Sequence, residues 1–216
     1  NLNRKDFDWL NRYYPTIKNK KYSEINEDES LTLYDIFKKN KSDKIPYFNK
    51  HNHTYYSKYE QLFSNLRHKP IKLFEMGIGS VNKSISSNMV DYNNAYGYLP
   101  GSSLRSWSEY FTHENSQIVG GDIDDAICKI DYGPKIKTYC IDQTDSYKLH
   151  SLFVKDYFDI IIDDGLHTLD AAKSMILGLW DSLKIGGYYI IEDIVMDQKT
   201  IDSFNFTSNF NKEVWY

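Results

Sequence analysis

Short apolar runs that end in an acid alternate along this chain with stretches whose apolar residues recur every three or four positions. The runs are Lys72-Leu-Phe-Glu-Met-Gly-Ile-Gly-Ser80, Gln117-Ile-Val-Gly-Gly-Asp122, Ile136 to Ile141, Phe158-Asp-Ile-Ile-Ile-Asp163 and Tyr188-Tyr-Ile-Ile-Glu-Asp193. Near-continuous apolarity is the mark of strands buried on both faces of a parallel sheet. Between them, Tyr55, Tyr59, Leu62, Phe63 and Leu66 fall on one helical face within His51 to Leu66. Leu104, Trp107 and Phe111 do the same after a start at Gly101-Ser-Ser, where a serine cap is expected. Ala172, Met175, Ile176, Leu179 and Leu183 mark a helix from Leu169 that should stop at Gly186-Gly187. Strand and helix in alternation predict an α/β fold, a Rossmann-like doubly wound sheet whose ligand lies across the carboxyl ends of the strands.

Ahead of this pattern the chain is polar, with two short helices expected near Asp8 to Tyr14 and Leu31 to Phe37. Residues 1–50 are therefore read as an N-terminal helical appendage and 51–216 as the ligand-binding domain. Val81 to Gly101 is polar and has no clear period, so it is expected to be a long loop covering the site. Past Asp193 no pair of strands is evident and the C-terminal end looks incomplete. The first residue is not Met, so the chain reads as a piece of a longer protein.

Composition narrows the function. A net charge of -4 with no basic stripe disfavours a nucleic-acid partner. No apolar stretch reaches the roughly 18 residues of a membrane span, and no signal-peptide core opens the chain. Cys128 and Cys140 lack metal spacing and are expected to be free core thiols in a reducing, cytoplasmic compartment.

The chemistry gathers at strand ends. Glu75 precedes Gly77 and Gly79, glycines that let the backbone turn and approach a ligand. An acid there suits a cationic ligand such as S-adenosylmethionine better than a phosphate; an ordinary glycine turn is the plainer alternative. Asp122 ends the second strand, placed for two ribose hydroxyls, and Asp142-Gln143 ends the third, able to read an adenine amino group. Asp124 and Asp125 are expected to be solvated or capping. The first turn of the helix containing Ser103 offers free N–H groups to a carboxylate. Asp163, Asp164, His167, Glu192 and Asp193 then converge from two strands. So much like charge requires a cation or a proton, and oxygen ligands suit Mg²⁺. A coordinated hydroxyl could lose its proton to His167; capping by Asp163 and a structural histidine are the alternatives. His53 and Tyr55 could pack or reach a ligand, whereas Tyr59 and Phe63 are expected in the core.

From His53 to Ile194 the chain resembles the class I S-adenosylmethionine-dependent methyltransferases, and more narrowly the metal-dependent sugar O-methyltransferases of macrolide pathways and bacterial surface-polysaccharide clusters. The resemblance rests on His53-Thr-Tyr, Phe74-Glu-Met-Gly-Ile-Gly, Pro100-Gly-Ser-Ser-Leu-Arg-Ser-Trp, Gly121-Asp-Ile-Asp, Asp142-Gln-Thr-Asp, Ile162-Asp-Asp-Gly-Leu-His and Ile191-Glu-Asp. It implies a cofactor held by Glu75, Gly77, Gly79, Ser103, Asp122, Asp142, Gln143 and Asp163. It implies Mg²⁺ on Asp164, Glu192 and Asp193, with Asp164 and His167 catalytic. The acceptor would be a sugar hydroxyl or another small molecule, and copies of the chain could associate through N-terminal segments. A metal-independent methyltransferase and a non-catalytic cofactor-binding module remain the rival expectations.

Overall fold

A computed structural model describes residues 31–48, 53–194 and the backbone of 214–215. The chain divides at Ser30, and the elements below belong to the unit Leu31–Tyr216. The helix expected near Asp8 lies outside the described residues.

Helix α1 spans Leu33–Asn40. Thr32 and Asp35 cap its start reciprocally and left-handed Lys41 closes it, while Leu33, Ile36 and Phe37 are buried. Helix α2 is Tyr55–Phe63, shorter than the sequence period suggests because Ser64–Leu66 tightens into a 3₁₀ turn. Strand β1, Lys72–Met76, leads into the polar stretch, which contains a helix, α3, at Val90–Tyr96 rather than loop throughout. Helix α4 is Ser102–Tyr110, and its cap is Gly101, not a serine; Ser102 and Ser103 are already inside the first turn. Then come β2 (Gln117–Asp122), α5 (Asp125–Cys128), β3 (Ile136–Cys140), α6 (Ser146–Leu152) and β4 (Phe158–Asp163).

Helix α7, Leu169–Leu179, stops before the expected glycines and passes through a 3₁₀ turn, Trp180–Ser182. Strand β5 already begins at Leu183 and runs to Ile191, and Gly186 and Gly187 lie inside it at a register shift opposite Phe158 to Ile160. The glycines thus serve a strand irregularity, not a helix stop. Strand β6, Val214–Trp215, pairs with β5, a sixth strand that the sequence pattern did not reveal.

The strands pair in parallel in the order β3-β2-β1-β4-β5-β6. The order reverses between β1 and β4, so the crevice between outward-diverging connections opens there. One face of the sheet packs Leu73, Ile118, Ile160 and Ile162 against Phe37, Tyr59, Phe63 and Trp107. The other packs Phe74, Met76 and Ile161 against Met175, Ile176 and Leu179 of α7. Truncating a buried ring such as Phe37 to alanine costs about 3–5 kcal/mol. The first face matters for function, because α1 and α2 cover it. Cys128 is half-buried and Cys140 is exposed, so the expectation of two core thiols fails: β3 is an edge strand and Cys140 ends it. No helix among the described residues is long and apolar enough to cross a membrane.

Candidate active site

Register brings the strand ends level. Met76 lies opposite Gly121 on one side and Asp163 on the other, and Asp163 lies opposite Ile191. The next residues out, Gly77, Asp122, Asp164 and Glu192, form one row at the carboxyl edge. Backbone bonds carry the ladder that one step further, from Gly77 N to Gly121 O (2.8 Å), Asp164 N to Met76 O (3.0 Å) and Glu192 N to Asp163 O (2.8 Å). Strand alternation then sorts the acids. Glu75 shares the face of Leu73, Asp164 that of Ile162, and Glu192 that of Ile190, so all three meet under α1 and α2. Asp163 follows Ile161 to the opposite face.

A lysine from the N-terminal segment enters the three-acid group. Lys44, which follows α1, is 1% exposed, and its Nζ lies 2.7 Å from Glu192 Oε1, 2.8 Å from Asp164 Oδ2 and 3.3 Å from Glu75 Oε1. Tyr59, expected only as core, also donates its hydroxyl to Glu192 Oε1. Burial opposes charge on Lys44, but Asp164, Glu192 and Glu75 outweigh it and hold its pKa well above the ordinary value. The acids respond unequally. Burial pushes Glu75 up to about 7 and, with the Asp164 charge beside it, raises Glu192 strongly. Asp164 is lowered despite its burial, by Lys44 and His167. One ammonium among three carboxylates therefore keeps Asp164 as the firmly ionised member.

Further out, His167 Nε2 is 3.3 Å from Asp164 Oδ1, and Tyr55 donates to Asp193 Oδ1 at 2.5 Å. His53 Nε2 is 3.6 Å from the same Asp193 oxygen, so both residues left open by the sequence reach the site. Burial works against the His167 cation, but its bond to Asp164 and the surrounding acids raise its pKa above 6.5. His167 (φ 58) and Asp193 (φ 53) both have left-handed backbone, strain that non-glycine residues accept chiefly where the surroundings fix them for a task. Ligand atoms of Asp164, His167 and Asp193 all lie within 4.8 Å of one another, as do those of Glu75, Asp164 and Glu192.

The remaining sequence candidates line the same edge. Gly77 (φ +84) is where a Cβ would fall 1.9 Å from the Asp164 carbonyl oxygen, so β1 and the Asp164 loop touch only because it is glycine. Gly79 lies against the buried Tyr98 hydroxyl, which comes from the segment expected to cover the site. Ser103 is buried in the first turn of α4 and helps hold the Glu75 pKa down. Asp122 accepts from Ile78 N at 3.0 Å and from Asp124 N at 2.9 Å. Asp124 caps α5 and is buried rather than solvated. Asp142 is exposed and held low by the Thr144 side chain and backbone. Gln143 is turned inward: its amide donates to Asp163 Oδ1 at 2.6 Å and accepts from Leu166 N at 2.9 Å. Burial pushes Asp163 up to about 7.

The residues present fit a cationic ligand. Among the described residues, buried Glu75 is met only by Lys44 Nζ at 3.3 Å and by Ser103, and Asp163 Oδ2 accepts no hydrogen bond, which leaves acceptor positions for an amine or hydroxyl donor. Asp164, Glu192 and Asp193 offer the hard oxygen set that a divalent ion of the Mg²⁺ type takes. Sequence reasoning missed Lys44 altogether, since its signal is only a lysine in a polar segment.

No protein-family profile matches the chain. It is 30% identical over 143 residues to 8-demethyl-8-alpha-L-rhamnosyl tetracenomycin-C 2'-O-methyltransferase of Streptomyces olivaceus, a match covering 66% of this chain and 33% of that protein. It is 29% identical over 143 residues to demethylmacrocin O-methyltransferase of Streptomyces fradiae, covering 66% and 32%. Among solved structures it superposes on the MycE methyltransferase of the mycinamycin pathway in complex with Mg and SAH, with a TM-score of 0.59 and 25% identity over 76% of this chain and 39% of that one. The chain is a homologue of the sugar O-methyltransferases on the class I methyltransferase fold. It spans about a third of the length of the curated relatives it matches. A MycE complex that also contains mycinamycin VI gives a TM-score of 0.60 at 23% identity, covering 84% and 41%, and adds a second instance of the shared fold.

Proposed function

We propose that this homologue transfers a methyl group from S-adenosylmethionine to a sugar hydroxyl, with a divalent ion on Asp164, Glu192 and Asp193 and with His167 as base. The observation that carries the reading is that two overlapping ligand groups, Asp164, His167 and Asp193 on one side and Glu75, Asp164 and Glu192 on the other, share Asp164 at the carboxyl edge of the sheet. The relatives, whose names describe O-methylation of sugars on antibiotics, support the acceptor class. The MycE complexes with Mg and SAH support the two cofactors.

When bound, S-adenosylmethionine would supply the methyl group and the divalent ion would lower the pKa of the acceptor hydroxyl. Glu75 Oε1 lies 3.3 Å from Lys44 Nζ, so Glu75 Oε2 would be the oxygen that receives the cationic end of the cofactor, and Asp122 would receive its ribose. Gly77, Gly79 and Ser103 shape the wall beside it. Asp142 and Gln143 would border the adenine, with Asp163 held beside them by the Gln143 amide. With the Nε2 proton donated to Asp164, the His167 Nδ1 is the nitrogen left to take the acceptor proton. The Tyr98 ring and α3 would keep water out. The acceptor sugar could be nucleotide-linked, part of a polysaccharide or part of a glycoside. Self-association through residues ahead of Leu31 belongs to the same proposal, and light scattering measures it.

One observation favours a second reading. Lys44 already neutralises the inner acids, as a metal-independent methyltransferase would require. Calorimetric titration of S-adenosylmethionine and of S-adenosylhomocysteine, each with Mg²⁺ and with EDTA, followed by labelled methyl transfer to a panel of sugars, tests both. Micromolar cofactor binding with turnover that EDTA abolishes is expected. Turnover unchanged in EDTA would select the metal-independent reading, and absence of cofactor binding would remove both.

A further inference from the structure

The environment of Lys44 holds more than a neutralised cluster. Its backbone is held on both sides: it follows half-buried Asp43, itself close to Asp164 and Lys44, and precedes buried Ile45. Its N–H donates to Ser42 Oγ at 3.4 Å, and its carbonyl accepts from Tyr56 N at 3.1 Å. The side chain, with its rotatable stem and charged end, is the part left to rearrange. That end now bonds to Asp164 and Glu192, two of the three oxygen donors assigned above to a divalent ion. A dication and an ammonium cannot share those oxygens at 2.7–2.8 Å, because like charges that close in a buried site repel strongly. Glu75 provides the alternative berth. It is 3.3 Å from the same Nζ, it is fully buried, and it makes no hydrogen bond of close geometry that would bar the ammonium.

We propose that Lys44 is a two-position counter-cation: it bridges Asp164 and Glu192 in the metal-free protein, and it closes onto Glu75 Oε1 when a divalent ion takes those two carboxylates, leaving Glu75 Oε2 to the cofactor. The inference rests on the metal-dependent reading above. The ammonium is then a tethered competitor of the ion, one that keeps the cluster neutral between turnovers and sets how tightly the ion is held.

The test is calorimetric titration of Mn²⁺ into the metal-free full chain, for wild type, Lys44→Met and Glu75→Gln, alongside thermal unfolding in EDTA and in saturating Mn²⁺. Removing the competitor should tighten Mn²⁺ binding by about tenfold or more in Lys44→Met. Removing the berth should weaken it in Glu75→Gln. Lys44→Met should also gain more thermal stability from Mn²⁺ than wild type does. A Lys44→Met protein that folds only with Mn²⁺ is the same result in stronger form, and one that stays unfolded with Mn²⁺ overturns the proposal, because the ion then does not replace the ammonium. Equal or weaker binding in Lys44→Met, with wild type binding Mn²⁺, overturns this proposal and leaves the metal reading standing. No binding by either protein removes both.

Discussion

Substituting Gly77 by alanine isolates the contact that fixes Asp164. Two costs arise. Left-handed backbone at φ +84 penalises any residue with a Cβ by roughly 1–2 kcal/mol. The new methyl group would also fall 1.9 Å from the Asp164 carbonyl oxygen and 2.9 Å from the Gly165 Cα, both backbone, so no side chain can rotate away. Overpacking of that kind costs about 1–3 kcal/mol more. Gly186 is the matched control, for it has φ +79 and a methyl group there would meet nothing within 4 Å, leaving the conformational cost alone. In a domain of this size each kcal/mol lowers Tm by about 2–4 °C, so Gly77→Ala should melt roughly 2–12 °C below Gly186→Ala. The assay is calorimetric unfolding of both variants and wild type, with S-adenosylhomocysteine binding as a second readout that only Gly77→Ala should lose. Equal Tm losses in the two variants would refute the claim that the Asp164 loop is seated on Gly77.

Three further outcomes follow from the site. His167→Ala should lower methyl transfer by about 10²–10⁴-fold while cofactor affinity stays within a few-fold, read by labelled transfer and calorimetry; full turnover would remove His167 as base. Asp163 has a folded pKa of about 7 against 3.8, so the folded state holds its proton more tightly and this group's contribution to stability is lost as pH rises from about 4 to about 7. Asp163→Asn should therefore gain stability relative to wild type as urea unfolding moves from pH 4 to pH 8, and a constant difference would contradict the assignment. Iodoacetamide at pH 8 should modify exposed Cys140 and spare Cys128, whose thiol burial and Asp122 push up to about 12; peptide mass spectrometry reads the site, and equal labelling would refute the difference.

The acids were legible in the sequence because each ends an apolar run, and a parallel sheet places all such ends on one edge. The order of β1 and β4 as neighbours, which brings Glu75 to Asp164, follows from the same alternation of strand and helix. Lys44 was not legible. Its partners are at positions 75, 164 and 192, and nothing local distinguishes it from other lysines in a polar segment. Tyr59 was read as core from its helical spacing, and its ring is buried; only the tertiary structure shows that its hydroxyl meets Glu192. Gln143 shows a related case: the sequence offers a polar side chain at a strand end that could meet a ligand, and the structure adds its bonds to Asp163 and the Leu166 amide. The glycines at 186 and 187 misled because a helix stop and a strand irregularity draw on the same residue.

The contact between Lys44 and Glu192 also bears on the order in which the molecule forms. The two residues are separated by 148 positions, so the pair closes only once β5 has been synthesised and has paired with β4. Long closures are entropically slow and are rewarded late. During synthesis Lys44 leaves the ribosome well before any of its three partners, and the carboxylates stay hydrated until β5 docks. Neutralisation of the cluster is thus tied to the docking of β5, and a probe on Lys44 would report that docking rather than nucleation at β1.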